Sequence, residues 1–157
     1  MFKRLPTALV LAALGLTISL ANAQQTISGP ARAVDGRTLS VDRTYVQLEG
    51  VDAAETGTTW GDSAWFFLTN FVADFKDGVT CKLTGNVDAT SGRALGRCYV
   101  NGDRDVAESL IAGGAALACP AQVGDRYDTA EKYSRELSDK RGSDSKQPRS
   151  SRCARGK

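Results

Sequence analysis

The sequence predicts an α+β domain, mainly β: a five-stranded OB-type barrel, partly open, with about three helices packed on it. Three observations carry this. Short runs of period-two alternation, separated by turn residues, fill residues 26–48. An apolar stripe of helical period occupies 60–75, and two further strand-like runs lead into helical segments at the end.

Residues 26–33 (TISGPARA) form a first strand interrupted at Gly29-Pro30, and Asp35-Gly36 is a turn signal. Thr38 to Val41 alternates and turns at Asp42-Arg43; Tyr45 to Leu48 alternates again, with Val46 and Leu48 on one face and Gln47 on the other. Ala64, Phe67, Leu68, Phe71, Val72 and Phe75 recur at helical spacing within 60–75 and define one core-facing stripe. Strand character resumes over 79–83 and 95–100, the latter ending at Asn101-Gly102. Val106 to Ala112 is a short helix stopped by Gly113-Gly114. Asp128 with Glu131 reads as a capping box for a last helix over 129–140. Trp60, Trp65 and Tyr45 are assigned to the core rather than to a stacking surface.

Residues 1–23 stand outside this fold. Lys3 and Arg4, the apolar run Ala8 to Leu20 and the small-x-small Ala21-Asn22-Ala23 make a secretory signal peptide, shorter than the roughly 20 apolar residues of a membrane span. Three segments follow: 1–23 signal, 24–140 folded domain, 141–157 basic tail. The predicted location is secreted or periplasmic, with no stable membrane anchor after cleavage. In an oxidising compartment Cys81, Cys98, Cys119 and Cys153 pair. Of three connectivities, Cys81–Cys98 with Cys119–Cys153 is preferred because it closes consecutive, non-overlapping loops. No C-x-x-C pair exists to favour a tetrathiolate zinc site.

Composition narrows the chemistry. The chain has 157 residues and no histidine. That excludes a Ser-His-Asp triad, a Cys-His pair, a histidine base and His-ligated zinc. With Lys3 and Arg4 taken from 20 basic residues, 18 remain against 18 acidic ones, a balance that disfavours a broad cationic groove for duplex DNA. The charge is segregated, however. The tail carries Arg141, Lys146, Arg149, Arg152, Arg155 and Lys157 against Asp144. Such a tail is ordinarily solvated; its specific use would be to hold nucleic acid or another anionic polymer.

Three stretches in register resemble the staphylococcal-nuclease-like (thermonuclease) family, in its secreted bacterial branch. They are Asp35-Gly36-Arg37-Thr38-Leu39-Ser40-Val41, then Val46-Gln47-Leu48-Glu49-Gly50-Val51-Asp52-Ala53-Ala54-Glu55, then Gly92-Arg93 followed by Leu110 to Ala116. The resemblance covers about 28–140 and implies an OB barrel. Active members cleave phosphodiester bonds in DNA and RNA with calcium. It implies that Asp35 and Asp52 are remnants of the metal site, Glu55 the residue that positions or deprotonates water, and Arg93 a phosphate clamp. Two positions depart from the pattern. Arg37 stands where the family has a calcium-ligating aspartate, and Gln47 where it has the second clamping arginine. Ala54 also replaces the proline before the glutamate.

A guanidinium in a divalent ion's place repels that ion by about 8 kcal/mol at ~4 Å and an effective dielectric of ~20. A lost transition-state arginine costs ~10³ or more in rate. The expectation is therefore a degenerate nuclease without a cofactor, Arg37 serving as internal counter-ion. Calcium enters only if the family site still functions. The alternatives are an active nuclease using Glu55, Arg93 and Asp52, and an accessory factor in exopolysaccharide (succinoglycan-type) production, which the resemblance admits.

Overall fold

The computed structural model describes residues 24–142, 147–150 and Cys153. The predicted signal peptide and most of the basic tail lie outside the described residues. Pro30, which lacks an N–H donor, divides the first strand into β1 (Thr26–Gly29) and β2 (Ala31–Asp35). The chain continues through β3 (Thr38–Val41), β4 (Thr44–Leu48), β5 (Val51–Asp52) and α1 (Thr59–Ala73). Next come β6 (Val79–Val87), β7 (Ala94–Val100), β8 (Arg104–Asp105), α2 (Val106–Ala112) and β9 (Leu117–Ala118). Two helices close it, α3 (Pro120–Val123) and α4 (Asp128–Lys140).

The architecture is α+β and mainly sheet. A mixed sheet of 7 strands runs β1-β6-β7-β4-β3-β2, with β8 on β7, and β5 pairs separately with β9. Only β4 and β7 pair in parallel. In place of the five strands expected of a partly open OB-type barrel, the ladder has seven and is not closed, its path ending at β1 and β2. Pro30 separates the two end strands, β1 bonding β6 and β2 bonding β3. The helices also exceed the expected three, because Pro120 at the first turn starts the short α3.

Leu39, Val41, Val46 and Leu48 from the meander, Ala64, Leu68 and Val72 from α1, and Leu110 and Ile111 from α2 form one buried cluster. Phe67 and Phe71 pack on its edge, whereas Phe66 is exposed. Tyr45 and Trp65 are exposed too, which corrects their assignment to the core. Gln47 is buried like Val46 and Leu48, its amide met by Ser91 from the loop after β6. Helix α1 ends at Ala73 rather than Phe75, and β6 extends past Leu83 to Val87. The Asp128–Glu131 capping box does not form. Tyr127 occupies the cap position without a side-chain bond, and Glu131 is directed to other partners.

Cys81 and Cys98 face each other across β6 and β7 and are bridged; Cys119 is bridged to Cys153. Two disulfides suit an oxidising compartment. Among the described residues no helix is long and apolar enough to cross a membrane.

Candidate functional site

The β2–β3 turn supplies Asp35 and Arg37, and it can lie against α1 only because Gly36 separates them. A Cβ there would stand 2.6 Å from the Ala64 Cβ and 3.3 Å from that of Ala53. The Asp35 carboxylate accepts the Arg37 backbone N–H at 2.9 Å, closing an Asx turn. Gly61, in the first turn of α1, lets the Ala53–Thr58 loop pass, since a Cβ would sit 1.9 Å from the Glu55 carbonyl. Thr58 caps that helix by accepting from the Gly61 N–H at 3.0 Å. Glu55 is thereby held at the mouth of the site, its side chain mostly in solvent.

Two ion pairs result. Arg93 Nη1 donates to Asp35 Oδ2 at 2.9 Å and to Thr38 Oγ1 at 3.1 Å, and its guanidinium lies 5.8 Å from the Tyr45 ring centroid. Arg37 Nη2 stands 3.5 Å from Glu55 Oε1. The Arg37 residue is only 9% exposed, and its Nη1 is buried with no hydrogen-bond partner among the described residues. A buried guanidinium N–H left unpaired is costly.

Gln47, the cross-strand partner of Thr38, is engaged by the loop after β6. Its Oε1 accepts from Ser91 Oγ at 3.0 Å, and it also hydrogen-bonds Asp88. Asp88 ties its own loop by accepting from the Thr90 and Ser91 N–H groups. Burial opposes ionisation of Asp88, but the bonds from Ser91, Gln47 and Thr90 outweigh it and hold its pKa below the ordinary value. Gln47 thus helps fix the loop that presents Arg93.

Asp52 is engaged elsewhere again. It is 2% exposed, and Ser150 of the tail covers it. The Ser150 N–H donates to Asp52 Oδ2 at 2.7 Å, and its hydroxyl to Oδ1 at 2.8 Å. Gln147 Nε2 donates to the Asp52 carbonyl at 3.3 Å. Arg149 turns inward to Glu131 Oε1 at 2.6 Å and to the Ala118 carbonyl. This part of the tail is therefore packed, not solvated as such basic tails ordinarily are.

These residues do not fit a calcium ion. Calcium needs several hard oxygens converging on one point. Here Asp35 is taken by Arg93, Glu55 faces a guanidinium, and both carboxylate oxygens of Asp52 accept from Ser150. Among the described residues no group of three or more His, Cys, Asp or Glu side chains is placed to hold a metal ion.

The structure thus brings Asp35 to Arg93 and Arg37 to Glu55, and gives Gln47 and Asp52 other partners. Sequence reasoning missed Thr38, Ser91, Asp88 and Ser150. Ser150 had half a signal: a Cys119–Cys153 bridge draws the residues before Cys153 toward Cys119, but that this brings them beside Asp52 follows only from the β5–β9 pairing in the fold. No family model matches the chain, and no curated protein matches it either.

Proposed function

We propose that the chain is a degenerate member of the thermonuclease-like family, on an OB-type scaffold, that binds an anionic polymer through Arg37 and Arg93 without calcium-dependent hydrolysis. One observation carries the reading: Arg37, which the family resemblance aligns with a metal-ligating aspartate, is buried and paired to Glu55. Support for the scaffold comes from the strand order. Ends β1 and β2 are separated by Pro30 alone, so a single bent strand contacts both limits of a Greek-key-like path.

Arginine suits this task. Its planar fork matches phosphate or carboxylate oxygens, and it stays charged at any physiological pH. With Gln47 in place of the second clamp, the transition-state charge is met by fewer cations. The exposed Tyr45 ring beside Arg93 offers a flat apolar face next to a cation. Such a pair fits a single-stranded nucleic acid, and equally an anionic polysaccharide, which keeps the exopolysaccharide reading as the second proposal.

The test is calorimetric titration with calcium, together with hydrolysis of single-stranded DNA with and without it. No binding heat and no calcium-dependent cleavage are expected of the native chain. The double variant Arg37→Asp, Gln47→Arg is expected to gain both. Robust calcium-dependent cleavage by the native chain overturns the reading.

A further inference from the structure

We propose that residues 147–150 form a redox-controlled strap, locked by Cys119–Cys153, that holds Asp52 and Glu131 out of solvent and opens when that disulfide is reduced. The strap touches the body at separate points. Ser150 takes both Asp52 carboxylate oxygens, Gln147 the Asp52 carbonyl, and Arg149 both Glu131 and the Ala118 carbonyl. These bonds all fall on β5, β9 and the first turn of α4, one corner of the molecule.

The two bridges are not equivalent. Cys81–Cys98 joins β6 to β7, strands already held by their own ladder, so its loss leaves both in place. Cys119–Cys153 is the covalent tie between strap and body, across a sequence separation of 34. Without it the strap is held by a few polar contacts, and lifting it rehydrates two buried carboxylates. Without the bridge the strap loses the chain constraint that helps keep it docked, so opening costs less. Both cysteines are fully buried while the strap is docked. A reductant therefore acts when the strap lifts transiently, and the lifted state is trapped.

The co-reactant is a dithiol. One of its thiolates attacks a sulfur of the Cys119–Cys153 bond, forming a mixed disulfide, and its second thiol resolves that intermediate. Two electrons and two protons pass to the protein as two cysteine thiols, and the dithiol leaves as its disulfide. The opened corner presents Asp52 and Glu131 as exposed negative charges and removes Arg149 from it. Polyanion binding then weakens; that effect rests on the anion-site reading above, whereas the opening itself does not.

The experiment is hydrogen exchange on the full chain, oxidised and after reduction by a dithiol, with mass mapping of which bridge has opened. Reduction is expected to speed exchange of the Ser150 amide and of residues 50–53 and 117–119, while the β6–β7 ladder keeps its protection. Unchanged protection of 147–150 after reduction of Cys119–Cys153 overturns the proposal, as does global loss of protection. Cys153→Ser opens the second bridge alone and should give the same local pattern. Arg149→Ala with Ser150→Ala loosens the strap with both bridges intact, and should accelerate reduction of Cys119–Cys153; an unchanged reduction rate also overturns it. A fluorescent oligothymidylate separates the two readings. Binding weakened about fivefold or more on reduction supports both. Absence of binding in either redox state, with local opening intact, sinks the anion site alone. Equal binding in both states, with no local opening, sinks the strap.

Discussion

Arg37 shows how one side chain decides between two chemistries. As an aspartate, it would add a third carboxylate to Asp35 and Asp52 and demand a cation. As an arginine it is that cation, anchored by its own backbone N–H on Asp35 and paired with an exposed glutamate. The pair contributes little to stability, because Glu55 is well hydrated when alone and Arg37 leaves one nitrogen unsatisfied. Arg37→Met should therefore change the unfolding free energy by no more than about 1 kcal/mol in either direction, measured by urea denaturation. Its effect should appear instead in oligonucleotide binding, which is expected to fall. The identity of Arg37 was plain in the sequence, as was that of Gln47. Their partners were not: nothing local to Gln47 points to Ser91, 44 positions away, because hydrogen bonds across strands depend on register.

At the scale of elements, the site exists because two glycines let α1 approach the β2–β3 turn and the Glu55 loop. Neither Gly36 nor Gly61 adopts a positive φ, so their role is space and not backbone freedom. Gly61→Ala should destabilise the chain by roughly 1–3 kcal/mol, since the methyl group meets backbone that cannot rotate away. A shifted thermal midpoint with unchanged far-ultraviolet dichroism would check it; no shift would mean that the loop has room to move. Strands β3 and β4 and helix α2 were legible because alternation, helical stripes and Gly-rich stops are local signals. The two-residue strands β5, β8 and β9 were not, because they carry no period and exist only through their partners. The capping box failed for a related reason. Glu131 is worth more to the buried Ala118 N–H and to two arginines than to its own helix N-terminus.

For the whole molecule, the covalent and ionic ties meet at that same glutamate. Burial opposes ionisation of Glu131, but bonds from Arg135, the Ala118 N–H and Arg149 prevail and keep its pKa below its ordinary value of 4.5. A depressed folded pKa adds stability that is fully present above about pH 4.5 and is lost as pH falls through the lower folded value. Asp88, also depressed, acts in the same direction. The melting temperature should hold steady above that pH and fall below it, and Glu131→Gln should flatten the acid limb; an acid limb unchanged by Glu131→Gln would remove Glu131 from the account. The sequence by itself determined the sheet-rich α+β class, the main strands and helices, and the residue types at the site, because composition, period and turn chemistry are properties of neighbours along the chain. Only the tertiary structure decided that seven strands form an open mixed sheet, that Asp52 belongs to Ser150, and that a basic segment lies packed against the body. Each of these depends on which distant groups compete for the same buried charge, and that competition is settled by proximity in space.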